Sequence, residues 1–282
     1  MTIDSTADRP CLPIGIFDSG VGGLTVLAAL LKRLPHEAYQ YLGDTARLPY
    51  GTKSRGTIIR YSLQATEKLV ERGIKLLVVA CNTATAAALP ELRRAYAPLP
   101  VIGVVEPGAA AACAALSGIQ RGGTIMVLGT ESTIKGGAYA RAIMARRPEA
   151  TVLGVPCTLF VPLAEEGWME GNIAQSIARR YLEPHLKTDR PDCIVLGCTH
   201  FPPLAPAIAS VAGKGVVMVD SAATTAQAVK EELARLRMLR PETEPDGALH
   251  FLTTDAPDRF ARVGGLFLQR AINAADIELV VL

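Results

Sequence analysis

Ile74-Lys-Leu-Leu-Val-Val-Ala-Cys81-Asn-Thr83 and Asp192-Cys-Ile-Val-Leu-Gly-Cys198-Thr-His200 share one grammar. Each is an apolar run, a small residue, a cysteine, then polar residues able to start a helix. Unbroken Val/Ile/Leu runs suit strands buried on both faces of a parallel sheet. Working outward, strands are expected at 14–17, 39–42, 76–80, 101–104, 124–128, 151–155, 193–196, 216–219 and 250–252. Ala-rich stretches separate them, with helices expected to begin near Gly23, Lys53, Thr83, Gly108, Gly137, Gly171, Pro203 and Ala222. The alternation is a βαβ pattern, so the fold class is α/β with open, mostly parallel sheets. Residues 241–247 carry two prolines and three acids and read as an exposed loop before a last strand and helix.

The strand-end motifs recur. In the first half a strand runs into Asp18-Ser19-Gly20, a loop follows at Pro49-Tyr50-Gly51, and a strand ends at Cys81-Asn82-Thr83. In the second, the counterparts are Gly129-Thr130, Glu165-Glu166-Gly167 and Cys198-Thr199-His200. Asp18, Tyr50 and Cys81 stand at intervals of 32 and 31 residues; Thr130, Glu165 and Cys198 stand at 35 and 33. Any α/β chain repeats at such intervals, so spacing alone leaves duplication open; the matching chemistry at the strand ends favours two similar halves. Ligands of open α/β sheets bind beyond the carboxyl ends of strands, so facing halves would put a cysteine on either wall of one cleft.

Composition excludes several classes. The 282 residues are 49% hydrophobic and 20% charged, which fits a globular chain of one or two domains. Basic residues number 29 against 27 acidic, and Arg146-Arg147 and Arg179-Arg180 are isolated pairs, so no electrostatic case for nucleic acid exists. The most apolar stretch, 107–119, has 13 residues, short of the ~20 that a bilayer demands. The N-terminus lacks the apolar core of a signal peptide, and a cytoplasmic location is expected. In a reducing compartment the six cysteines should be free thiols, each by default a small core hydrophobe.

Position singles out Cys81 and Cys198. A thiol just before a helix N-terminus meets unpaired amides and the positive end of the macrodipole, and both should lower its pKa. Asp18 ends a strand ahead of Gly20-x-Gly22-Gly23, where the backbone can approach a ligand closely. That run falls short of the dinucleotide fingerprint, yet Asp44 stands about where a ribose-binding acid would, which leaves a nucleotide enzyme open. His200 is placed to modulate Cys198 or protonate a substrate group. It could also join Cys198 on zinc, but no second Cys/His pair completes a four-ligand site, so no metal is expected. Glu165 and Glu166 are ordinary surface acids except for the repeat, and Trp168 is lid or core. Tyr50, Gly51, Asn82, Thr83, Thr130 and Thr199 suit either the polar groups of a small ligand or helix capping.

Several stretches carry a resemblance: Gly15-Ile-Phe-Asp-Ser-Gly-Val-Gly-Gly-Leu-Thr25, Leu48-Pro-Tyr-Gly51, Ala80-Cys-Asn-Thr-Ala84 and Gly197-Cys-Thr-His-Phe-Pro202. Weaker ones are Gly129-Thr-Glu-Ser-Thr133, Val161-Pro-Leu-Ala-Glu-Glu-Gly167 and Val219-Asp-Ser-Ala222. In this order they resemble the glutamate racemases of the aspartate/glutamate racemase superfamily. Phe201 stands where that family usually has Tyr, and Thr85 where it has Ser. The resemblance implies cofactor-independent interconversion of L- and D-glutamate, supplying D-glutamate for peptidoglycan. It implies Cys81 and Cys198 as the acid/base pair, with Asp18, Glu165 and His200 assisting. Asp18-Ser19, Tyr50-Gly51, Asn82-Thr83 and Thr199-His200 would bind substrate, and Glu165 matches the motif better than Glu166. It also implies two domains, 1–104 (1–13 an extension) and 105–219, with 220–282 returning to the first and pseudo-two-fold symmetry about the cleft. Two other readings compete: a related enzyme acting on aspartate or another acid, and a non-catalytic regulatory protein that keeps the fold. Whether the chain forms a homodimer is left open.

Overall fold

The computed structural model describes residues 9–119 and 122–282. Of the extension expected at 1–13, residues 1–8 lie outside the described residues.

The first half runs β1 (Ile14–Asp18), α1 (Leu24–Arg33), β2 (Tyr39–Gly43), α2 (Arg55–Glu71), β3 (Leu76–Val79), α3 (Asn82–Ala95) and β4 (Val101–Gly103). The second runs α4 (Val105–Ala115), β5 (Thr124–Gly129), α5 (Glu131–Gly136), α6 (Ala138–Met144), β6 (Thr151–Pro156), α7 (Phe160–Glu165), α8 (Gly171–Thr188), β7 (Cys193–Gly197), α9 (Ala205–Ala212) and β8 (Val217–Asp220). The chain ends with α10 (Ser221–Arg235), β9 (Leu249–Thr253), α11 (Pro257–Leu268) and β10 (Ile277–Leu279). The nine expected strands are all present within a residue of their expected ends. Three elements went unread, namely β10, α5 and α7.

Among the described residues all eight strand pairings are parallel. One sheet has the order β10-β9-β2-β1-β3-β4 and the other β6-β5-β7-β8. The core order is therefore the same in both, because β2-β1-β3-β4 maps onto β6-β5-β7-β8. In each sheet the winding reverses beside the first strand, between β1 and β3 or between β5 and β7. A crevice opens at such a switch point beyond the strand ends. Asp18 and Cys81 flank the first crevice, and Thr130 and Cys198 flank the second.

Both faces of the central strands are covered, as their unbroken apolar runs require. In the first sheet Ile14, Ile16, Leu76 and Val78 face one side, toward α1, α10 and α11, while Phe17, Leu77 and Val79 face α2 and α3. In the second, Met126, Leu128, Ile194 and Leu196 face α7, α8 and α9, and Ile125, Val127, Cys193 and Val195 face α4 and α6. One apolar cluster runs continuously from Ile14 to Phe160 and Leu196, so the two sheets share a core across the seam. Among the described residues no helix is long and apolar enough to cross a membrane.

Candidate active site

A cavity of about 200 Å³ lies between the two crevices, walled by residues of both halves. Cys81, Asn82 and Thr83 come from the first wall and Cys198, Thr199 and His200 from the second; Ser19, Tyr50, Gly51 and Thr130 complete the expected set. Two predicted residues stand one layer back. Asp18 is fully buried behind Ser19, and Glu165 lies behind His200; neither lines the cavity.

Cys81 caps α3. Its Sγ accepts from the Ala84 amide at 3.4 Å and donates to Ser19 Oγ at 3.4 Å. The expectation of a lowered pKa fails here. Burial, and then the neighbouring Asp18 carboxylate, push the thiol up to about 12 against the weaker pull of Ser19 and the Ala84 amide. Cys198 departs from the shared grammar too, since no α-helix starts directly after it. The chain turns, with the Phe201 amide on the Cys198 carbonyl, and α9 begins only at Ala205, after Pro202 and Pro203. What Cys198 has instead is His200, whose Nδ1 lies 3.9 Å from its Sγ and whose Nε2 bonds Glu165 Oε1 at 3.0 Å. Burial opposes the imidazolium, but the bonds to Cys198 and Glu165 outweigh it and raise His200 to about 10. Glu165 is likewise penalised by burial, yet its bonds to His200 and Arg259 leave its pKa lowered. Glu166 is exposed and touches none of this, and Trp168 sits on the surface at 57% exposure.

The remaining polar groups are partly committed. Asp18 Oδ2 accepts from the Gly20 amide at 2.9 Å, Oδ1 has no partner, and burial raises its pKa. Tyr139 donates to Asn82 Oδ1 at 2.7 Å, leaving the buried Asn82 Nδ2 with an unused donor beside the cavity. The hydroxyls of Thr83, Thr130 and Thr133 close a triangle with sides of 3.0–3.1 Å. Both thiols, an amide donor and several hydroxyls thus converge on space for a small polar molecule. Of the other wall residues, Thr158 carried no sequence signal; Val161 and Pro162 did, within the Val161–Gly167 motif.

The nucleotide alternative loses its two supports. Asp44 is fully buried and spent, accepting from Tyr50 at 2.5 Å, Arg47 at 2.6 Å and Thr254 at 3.0 Å. The glycines serve close packing: a Cβ on Gly22 would stand 2.4 Å from His200 Nδ1 and Thr199 Oγ1, and one on Gly23 2.5 Å from Asp18 Cβ. Among the described residues no group of three or more His, Cys, Asp and Glu is placed to hold a metal ion.

Residues 19–229 match the family described as Asp/Glu/Hydantoin racemase. The chain belongs to that family. It is 51% identical over 259 residues to the glutamate racemase of Geobacter metallireducens, covering 92% of this chain and 93% of the relative. Among solved structures, the glutamate racemase of Francisella tularensis in complex with D-glutamate is 33% identical with a TM-score of 0.87, over 96% of this chain and 98% of that one. That of Thermus thermophilus in complex with β-chloro-D-alanine is 40% identical with a TM-score of 0.84, over 97% and 98%.

Proposed function

We propose that the chain interconverts L- and D-glutamate without a cofactor, Cys81 and Cys198 exchanging protons with opposite faces of Cα. The observation that carries this reading is the placement of two thiols on facing walls of one small cavity, each at its sheet's switch point. Inversion at carbon needs an acid and a base on opposite faces. The two thiols are not equivalent: Cys81 is held as a thiol by burial and Asp18, whereas Cys198 has the His200 imidazolium at hand. In the direction that starts from a Cys198 thiolate, its sulfur takes the Cα proton and the electron pair passes into the substrate carboxylate. Cys81 then delivers its proton to the other face, leaving a Cys81 thiolate and a Cys198 thiol, and the reverse turnover restores the start. Asn82 Nδ2 and the Thr83, Thr130 and Thr199 hydroxyls are donors for the negative charge that develops. Residues between Ser19 and Thr83 supply one wall, and residues between Thr130 and His200 the other. The product D-glutamate serves peptidoglycan synthesis in the cytoplasm.

The close relatives named for glutamate favour it over aspartate, hydantoins or a purely regulatory role. The test is incubation with each enantiomer in deuterated water without cofactor. Inversion is expected, with deuterium early in the product enantiomer and little in recovered substrate. Absence of Cα exchange with either enantiomer would refute the reading. Cys81→Ser and Cys198→Ser should each abolish racemisation; near-normal activity in both would rule out the two-thiol mechanism.

A further inference from the structure

The C-terminal helix α11 belongs by sequence to the returning segment, and Phe260, on one of its faces, packs edge-on against Tyr41 and Phe251 of the first sheet. Its residues 259, 263 and 267 recur every four positions and so share a face. That face turns toward the machinery of the other half. Arg259 donates to Glu165 Oε2 at 2.8 Å while Glu165 Oε1 engages His200 Nε2 at 3.0 Å. Phe267 sets its ring edge-on to the His200 imidazole, with centroids 5.1 Å apart at 74°. Val263 and Arg259 line a cavity of about 120 Å³ behind Glu165, so the carboxylate has room to swing if released.

From this geometry we infer that Arg259 is a positioning residue, holding the Glu165 carboxylate charged and aimed so that His200 stays an imidazolium against Cys198. The inference rests on the proposed racemase reading for its kinetic consequence, but not for its electrostatic one. A carboxylate with both oxygens held by donors from two elements has one orientation; with one donor lost it can turn into the space behind it. Arg259 is half exposed and always cationic, so it supplies a fixed charge without taking part in proton transfer. The charged and titratable groups around the imidazole are Cys198 on its own loop, Glu165 from α7, Asp18 from the end of β1 and Arg259 from α11, with Asp255 on the far side of the rear cavity. Of these, only Arg259 bears on the imidazole through Glu165.

The experiment compares wild type, Arg259→Met and Arg259→Lys by two readouts. The first is NMR titration of labelled histidine, with the His200 signal assigned from its loss in His200→Asn. The second is kcat/KM for glutamate against pH. In Arg259→Met the His200 titration should fall by about one unit, a tenfold change in its proton affinity. The high-pH limb of kcat/KM should fall with it, so that the loss grows from almost none near pH 7 to about tenfold above pH 10. Arg259→Lys, which keeps the charge, should recover most of both. A His200 titration within about 0.2 units of wild type in Arg259→Met would overturn the inference, as would a uniform loss at every pH. Should wild type not racemise glutamate while the titration still moves, the racemase reading falls and the positioning role stands.

Discussion

Gly22 shows how tightly the two walls meet. Because an added Cβ would stand 2.4 Å from His200 Nδ1 and Thr199 Oγ1, Gly22→Ala must push the Cys198–His200 loop away. We expect a fall in kcat/KM of about a hundredfold, the scale of an ångström's misplacement, with the circular dichroism spectrum unchanged. His200 also sets a pH signature. Its folded pKa of about 10 lies above the ordinary 6.5, so its contribution to stability is fully present below about 6.5 and is lost as pH rises through 10. Glu165 has the opposite sign, with a lowered pKa whose contribution is lost on acidification. Urea unfolding of wild type and His200→Asn should therefore converge as pH climbs toward 10; a constant gap would contradict the assignment. At this scale both thiols were legible in sequence, because their places beside matched strands were. The charge state of Cys81 was not: it depends on Asp18, 63 residues away, and on burial that only the assembled sheets create.

Among the elements, α7 carries Glu165 to His200, and Phe160, Leu163 and Ala164 anchor it in the core. Phe160 is fully buried and packs edge-on against Phe201 and Tyr181, each with centroids 5.2 Å away. Phe160→Ala should cost about 3–5 kcal/mol by the usual scale for buried aromatic truncation. It should also release Glu165, so thermal unfolding should come earlier and the high-pH limb of activity should move downward together. Neither α7 nor α5 was readable in advance. Each has six residues, fewer than two turns, too short for a helical period to register. The same holds for β10, three residues of which only Ile277 is buried. Long buried strands such as β5 and β7 were legible because being covered on both faces forces an unbroken apolar run.

Across the whole molecule, the segment before β1 and the turn after α10 are tied together through one buried ammonium. Lys75 Nζ donates to Glu37 Oε2 at 2.5 Å and to the carbonyls of Pro10 at 2.6 Å and Met238 at 2.9 Å. Removing one member of such a buried pair typically costs about 3–5 kcal/mol because the other charge is stranded. Lys75→Met should lower the urea midpoint accordingly, and Lys75→Met with Glu37→Leu should recover much of it; equal losses would argue against a stranded charge. Nothing in the run Ile74–Thr83 distinguished this lysine, since its partners come from three distant segments. The recurring strand-end intervals, by contrast, did point to two similar α/β halves, and the two sheets share one core strand order. The closing of the first sheet by β9 carries a consequence for how the protein is made. Leu249–Thr253 pairs with Tyr39–Gly43, so on the ribosome the outer edge of β2 stays open while some two hundred further residues emerge. The second sheet, complete at Asp220, can close during that interval, ahead of the first. The wall bearing Cys198 can thus form before the wall bearing Cys81, and α11, the helix that bridges them, emerges only after β9.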